Sequence, residues 1–295
     1  MTRFIERALA ALAVATLSVS TAAAAITVGG KNFTEQLLMA EMTTQLLDAH
    51  GYDAEKRDGM GSTVLRKAQL NGQVDLYWEY TGTSLVTYNK KSPKGLSPQE
   101  TAEKVRSMDK KKGLVWLDCS DANNTYALAV RKGIDNTSDI KTLSDLAAAY
   151  NNGRELTLAT DAEFSQREDG LPGLEKAYDF DVPRSMQATM DAGLTYKALK
   201  EGQADIGLVF ATDGRIDAFD FRVLKDNKHF FPNYALCPVV REETLSANPE
   251  LKGILNELSA HLDTRTMQRL NGRVDVDKVE VRKVARQFLQ KQGLI

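Results

Sequence analysis

Val74-Asp75-Leu76-Tyr77-Trp78-Glu79-Tyr80-Thr81-Gly82-Thr83 is the stretch that settles the architecture of this 295-residue chain. Residues 74–77 form a short, largely apolar run of strand length, and Gly72 just upstream stops a helical stretch at 63–70. The small and polar residues at 80–83 then fall where the strand ends. In open α/β sheets ligands gather at the carboxyl ends of strands, so the same ten residues read as a strand and as the wall of a site.

The alternation of strand and helix continues on both sides. Upstream, 26–28 reads as a first strand. Thr34 caps a helix whose Leu37, Leu38, Met42, Leu46 and Leu47 share one apolar face, closed at Gly51. Downstream come a charged surface helix at 98–112, strands at 114–117 and 126–130, and a helix at 143–150. A strand at 156–159 leads into a polar loop at 161–170, followed by helices around 174–178 and 193–200 and a strand at 206–210. The strand 236–240 and three helices complete the chain. Short apolar strands alternating with amphipathic helices are the pattern of an α/β protein. No repeat, low-complexity tract or Pro/Ser-rich linker interrupts it.

Four phrases place aromatic rings beside small polar residues: 78–83 (WEYTGT), 123–126 (NNTY), 209–213 (VFATD) and 231–234 (FPNY). Core rings recur at helix or strand period, whereas rings at element ends beside Gly, Thr, Asn and Pro can line a cleft; packing under loops is the competing reading. A cage of aromatic faces holds a quaternary ammonium group, which has no hydrogen-bond donor to grip.

These phrases resemble those of the substrate-binding proteins of ATP-driven osmoprotectant importers, the glycine betaine/choline/carnitine family, and within it the OsmF (YehZ) type. The likeness extends through 30–36 (GKNFTEQ), 80–83 (YTGT), 123–130 (NNTYALAV), 191–196 (DAGLTY), 211–216 (ATDGRI), 228–232 (KHFFP), Phe288-Leu289 and Gly293-Leu294, in shared order over most of the chain. It implies a two-lobed periplasmic binding protein of type II, each lobe a mixed sheet flanked by helices, with the ligand cleft between. Lobe one is then 26–123 plus 233–295 and lobe two is 124–232, with crossings near 123–125 and 231–233. The function implied is periplasmic capture of a compatible solute, a quaternary ammonium compound such as glycine betaine or choline, and its delivery to a membrane permease during osmotic stress. A monomer with no cofactor suffices for that role.

The resemblance also implies site residues. Tyr80, Tyr126, Phe210 and Tyr234 match the cage positions, and Asn124 borders the head group. Phe210 departs from the Tyr common in the family, keeping the π face and losing the hydroxyl. Arg167 and Lys31 match anion-binding positions, with Thr83 supplying a hydroxyl and Glu163 bracing the site. A guanidinium suits a carboxylate because two parallel donors meet two oxygens. Taken alone, Arg167 also reads as a loop charge paired with Glu163 or Asp169. Glu168, where many relatives have Pro, would compete for the guanidinium.

The first 25 residues read as a secretory signal: Arg3 and Arg7, an apolar run at 8–19, and small residues at 22–25. The run is shorter than the roughly 20 apolar residues of a membrane span. No Cys follows the cleavage region, which argues for a free periplasmic protein. Without Arg3, Arg7 and Glu6 the chain has 36 basic and 39 acidic residues, a formal charge of −3, and nothing in that balance favours nucleic acid.

His50, His229 and His261 are isolated, so no zinc site is expected, and Gly59-Met60-Gly61-Ser62 is too short for a phosphate loop. No nucleophile elbow, HExxH motif or Cys–His pair points to an enzyme. A sensor module feeding a membrane receptor is the rival binding role. The two cysteines, Cys119 and Cys237, lie four residues before Asn123 and four after Asn233. If the chain segments at the two crossings run antiparallel, the cysteines face each other and can bridge in an oxidising compartment. Two separate buried thiols are the alternative.

Overall fold

The computed structural model describes residues 25–295, so the leader expected over 1–25 lies, but for Ala25, outside the described residues. The chain forms two five-stranded mixed sheets. The first contains β1 (Ile26–Lys31), β2 (Ala54–Met60), β3 (Leu76–Tyr80), β4 (Leu114–Trp116) and β10 (Leu236–Arg241), in the order β2-β1-β3-β10-β4. The second contains β5 (Tyr126–Arg131), β6 (Leu158–Thr160), β7 (Gln187–Thr189), β8 (Ile206–Phe210) and β9 (Phe221–Val223), in the order β7-β6-β8-β5-β9. The two orders are the same pattern. In each, three strands pair in parallel, and the strand that follows a crossing (β10 or β5) inserts antiparallel before the last edge strand.

Helices cover the sheets because each has one apolar stripe to bury. In the first unit these are α1 (Thr34–Ala49), α2 (Ser62–Leu70), the single turn α3 (Thr81–Thr83), α4 (Pro98–Lys110), and α9 (Glu242–Ala247), α10 (Leu251–Ala260), α11 (Thr264–Asp275) and α12 (Val281–Gln292) near the C-terminus. The second has α5 (Leu143–Asn151), α6 (Leu171–Tyr178), α7 (Ala192–Lys200) and the short α8 (Arg215–Ala218). Leu38, Met42, Leu46 and Leu47 of α1 are buried as the stripe predicts, while Leu37 is only half-buried. Local sequence starts α4 cleanly. Ser97 accepts from the Glu100 N–H, Glu100 returns the bond to the Ser97 N–H, and Pro98 takes a position with no helical N–H to give.

Several boundaries differ from the sequence reading. Thr34 is the first helical residue and not the cap; that place belongs to Phe33, while the Thr34 hydroxyl donates to Asp275 Oδ1 of α11. The strand expected at 74–77 runs Leu76–Tyr80, which puts Tyr80 at its last position. Four helices, not three, follow β10. β2, β7 and β9 were not legible: β2 is a charged edge (AEKRDGM), and the other two are three residues each.

The chain passes from one sheet to the other between β4 and β5 and returns between β9 and β10, and these two segments bond to each other. Asn123 bridges Ala235, the Asn124 N–H donates to the Tyr234 carbonyl, the Tyr234 N–H donates to Asn123 Oδ1, and the Thr125 hydroxyl reaches the Pro232 carbonyl. Just below them Cys119 and Cys237 form a disulfide, with Cα atoms 4.1 Å apart. Their positions opposite each other follow from the antiparallel run of β4 against β10.

The bridge closes a loop of sequence separation 118. A loop of that length removes about 4–5 kcal/mol of denatured-chain entropy in the loop-closure model, with 2–4 typical of measured bridges. The denatured, unreduced protein should therefore show no reactive thiol, and the Cys119→Ala/Cys237→Ala variant should melt several degrees lower. Two titratable thiols would rule the bridge out.

Candidate binding site

Strand ends from both sheets converge on one small cavity of about 120 Å³. β1 delivers Lys31, β3 delivers Tyr80, β8 delivers Phe210 and the start of β5 supplies Tyr126, while Tyr234 comes from the return segment. All nine residues singled out in the sequence line it: Lys31, Tyr80, Thr83, Asn124, Tyr126, Glu163, Arg167, Phe210 and Tyr234.

The rings form a continuous arc. Tyr126 meets Tyr234 edge to face, with centroids 5.2 Å apart, and leans on Phe210 at 5.5 Å. Phe33 extends the arc, lying parallel to Phe210 within 6° at 5.7 Å and 6.2 Å from Tyr80. Sequence reasoning missed Phe33 as a wall residue, although it lies one position beyond Asn32 at the end of β1. Tyr234 reaches its place because residue 82 is glycine: a Cβ there would come within 2.8 Å of the ring. The expectation that the rings line a cleft and stay out of the core is half corrected. Tyr80, Tyr126 and Tyr234 are buried and belong to the main apolar cluster with one face while bordering the cavity.

The charged residues are already partnered. Lys31 Nζ donates to Glu79 Oε1 at 2.6 Å, both side chains are buried, and the ammonium lies 4.9 Å from the Tyr80 ring centroid. Glu79 also accepts from the Tyr77 and Tyr88 hydroxyls and the Tyr80 N–H. In the sequence Glu79 stands only within the ring phrase 78–83, beyond the strand expected at 74–77, and nothing local shows that its neighbours converge on it.

Arg167 grips Asp169 with two parallel bonds, Nε to Oδ1 at 2.8 Å and Nη2 to Oδ2 at 2.5 Å. It also reaches Thr83 Oγ1 at 3.3 Å and Glu163 Oε2 at 3.4 Å, and lies 5.5 Å from the Tyr126 ring centroid. The competitor for the guanidinium is therefore Asp169. Glu168 is exposed, and the ion pairs of Arg167 go to Glu163 and Asp169. Asp169 Oδ2 accepts from the Tyr234 hydroxyl as well, at 2.7 Å.

Glu163 spans the two units: its Oε1 accepts from the N–H of Ser62, the first residue of α2, at 2.8 Å. Burial pushes this carboxyl up, but the charge of Lys31 and the Ser62 N–H outweigh it and hold it below the usual range. Asp161 is shifted the other way, raised chiefly by burial. Asn124 turns its Nδ2 toward Glu35 Oε1, 3.0 Å away. A second cavity of about 420 Å³ adjoins the first, sharing Asn32, Phe33, Asn124, Asp191, Ala192 and Phe210 with it. Among the described residues no cluster of His, Cys, Asp or Glu is placed to hold a metal ion, and no helix is long and apolar enough to cross a membrane.

Two mixed α/β units with a ring-lined cavity at their facing strand ends define a two-lobed binding protein of the periplasmic type II fold. The chain belongs to the family described as the substrate binding domain of ABC-type glycine betaine transport systems, whose model matches residues 24–291. The glycine-betaine-binding protein of Pseudomonas aeruginosa is 40% identical over 274 residues, covering 91% of this chain and 88% of its own. The glycine betaine-binding protein YehZ of Escherichia coli is 32% identical over 280 residues, 92% of each chain. The apo YehZ structure superposes with a TM-score of 0.66, covering 92% of this chain and 100% of that one.

The geometry separates the two acidic neighbours of Arg167. Asp169→Ala should destabilise the fold by about 3–5 kcal/mol, since it leaves a buried guanidinium without its partner. Glu168→Ala should stay within about 0.5 kcal/mol of the parent. Urea unfolding followed by circular dichroism reads both, and equal effects would refute the assignment of Asp169.

Proposed function

We propose that this chain is the periplasmic solute-binding component of an ATP-driven importer, and that it holds a quaternary ammonium solute such as glycine betaine or choline in the ring-lined cavity. The observation that carries this reading is the arc of five rings drawn from both sheets: Phe33, Tyr80 and Tyr234 on one side, Tyr126 and Phe210 on the other. Each face presented to a cationic head contributes about 0.5–2 kcal/mol. Phe210 serves without its hydroxyl because the π face is what a cation uses. Lys31, Thr83, Asn124, Glu163 and Arg167 border the same space and set where the rest of the solute lies.

The lobes in this reading are 26–123 plus 233–295 and 124–232, and the paired crossing segments are the hinge. A solute touching rings from both lobes binds the closed arrangement better than the open one, which is the differential affinity that closure requires. The names of the relatives support the solute class, and the family's place in ABC-type transport systems supports delivery to a permease. No catalytic role is assigned to any residue.

Calorimetric titration of the mature protein with choline, glycine betaine and carnitine tests the reading. At least one should bind, and Tyr126→Leu, which keeps apolar bulk and removes the π face, should weaken it at least about tenfold, or about 1.4 kcal/mol. Unchanged affinity in the Leu variant would remove the cage from the proposal.

A further inference from the structure

Glu35 is a buried carboxylate that the site described above leaves without a role. It stands in the first turn of α1, one residue beyond Thr34, and its side chain is 3% exposed. Neutral groups donate to it, among them the Tyr80 hydroxyl at 2.8 Å and Asn124 Nδ2 at 3.0 Å to Oε1, and Asn271 Nδ2 of α11 at 3.1 Å to Oε2. Among the described residues it takes part in no ion pair. The cations around it are committed elsewhere: Lys31 to Glu79, Arg167 to Asp169, and Arg215 to Asp213 and Asp275.

A buried carboxylate with neutral donors alone is costly unless a positive charge comes near. Glu35 meets the hydroxyl end of Tyr80 and lines the second cavity, which shares Phe33, Asn124 and Phe210 with the first. A counter-charge can approach it along that shared wall, where the second cavity adjoins the space between the rings.

Resting on the solute-binding role proposed above, we infer that Glu35 is the counter-ion of the solute's cationic head and that the cavity selects quaternary ammonium solutes of net positive charge over zwitterions. The second half follows from the two basic side chains. Lys31 and Arg167 each face the cavity with a carboxylate already in contact, so a solute carboxylate meets neutralised pairs and gains little. A choline-type solute, with a neutral tail, forgoes nothing.

The charge balance makes affinity depend on pH. Burial pushes the Glu35 carboxyl up, against the hydrogen bonds of Thr212, Tyr80 and Asn271, and Asp213 adds a like charge. A cation between the rings favours the ionised form. Affinity for a cationic solute is therefore greatest above the Glu35 titration and falls as the pH drops through it. The other ionisable groups facing Glu35 are Tyr80 on β3, Asp213 and Arg215 after β8, and Asp275 at the end of α11.

Three probes separate the possibilities: choline, glycine betaine and 3,3-dimethylbutanol, the uncharged carbon isostere of choline. At about pH 8 choline should bind at least about tenfold tighter than glycine betaine. Choline should lose affinity as the pH is lowered from there, while the carbon isostere changes little over the same range. Glu35→Gln, which keeps the side-chain size and one acceptor oxygen, should bind choline weakly across that range. Glycine betaine binding as tightly as choline, or choline binding without pH dependence in the parent protein, would overturn the inference and leave the solute-binding reading standing. Failure of every quaternary ammonium to bind would overturn both. The parent protein alone decides the matter if the variant does not fold.

Discussion

The bidentate pair between Arg167 and Asp169 is the constraint from which the shape of the cavity follows. Both groups are buried, so neither can turn away without stranding a charge in a poorly solvated place. Asp169 uses its second oxygen to hold the Tyr234 hydroxyl, and Arg167 reaches the Thr83 hydroxyl on the far side. One ion pair thereby ties the loop after β6 to the return segment and to the turn after β3. Tyr126 rests over the guanidinium, and its edge-to-face contact with Tyr234 is set by the same anchor. The Lys31–Glu79 pair repeats the device at the end of β1, with three hydroxyl or amide donors completing the carboxylate. The cavity is rigid where charge is satisfied internally, and beside it Glu35, with neutral donors alone, lines the adjoining space.

Around that centre the two sheets repeat one topology. Each receives its antiparallel fourth strand from the chain just after it has crossed, so the crossings and the sheets cannot be built independently. The crossing segments are hydrogen-bonded to each other and fastened within the first sheet by Cys119–Cys237. A bond placed below the crossing stiffens the base from which the second sheet extends. It leaves the dihedral angles of the crossing itself free.

Much of this was legible in the sequence where the local signals agreed with the tertiary environment. The run around Leu76–Tyr80, the stripe on α1 and the capping of α4 report their own structure, because propensity, pattern and burial coincide there. The ring phrases were legible because their rings sit outside any periodic stripe. What the sequence hid were features that exist only by juxtaposition. β2 pairs through its backbone with charged side chains outward, so it carries no alternation to read. Glu79 looks like an ordinary charge until β1 brings Lys31 to it, whereas Asp169 was one of the two partners the sequence offered for Arg167. Glu168, adjacent to Arg167 in sequence, looked a competitor, but it is exposed and the guanidinium pairs with Glu163 and Asp169. Phe33 stands alone within its motif, with its stacking partners 47 and 177 positions away, so nothing local marks it as a wall residue.

The sheet margins carry a consequence of their own. The four outermost strands are β2 and β4 on one sheet and β7 and β9 on the other, and three of them are only three residues long. The long one, β2, sets Glu55, Lys56, Arg57 and Asp58 in succession along its rim. A sixth strand approaching any margin finds either too few free amides to register against or a row of charges to desolvate. The sheet margins therefore disfavour edge-to-edge pairing between copies of the chain.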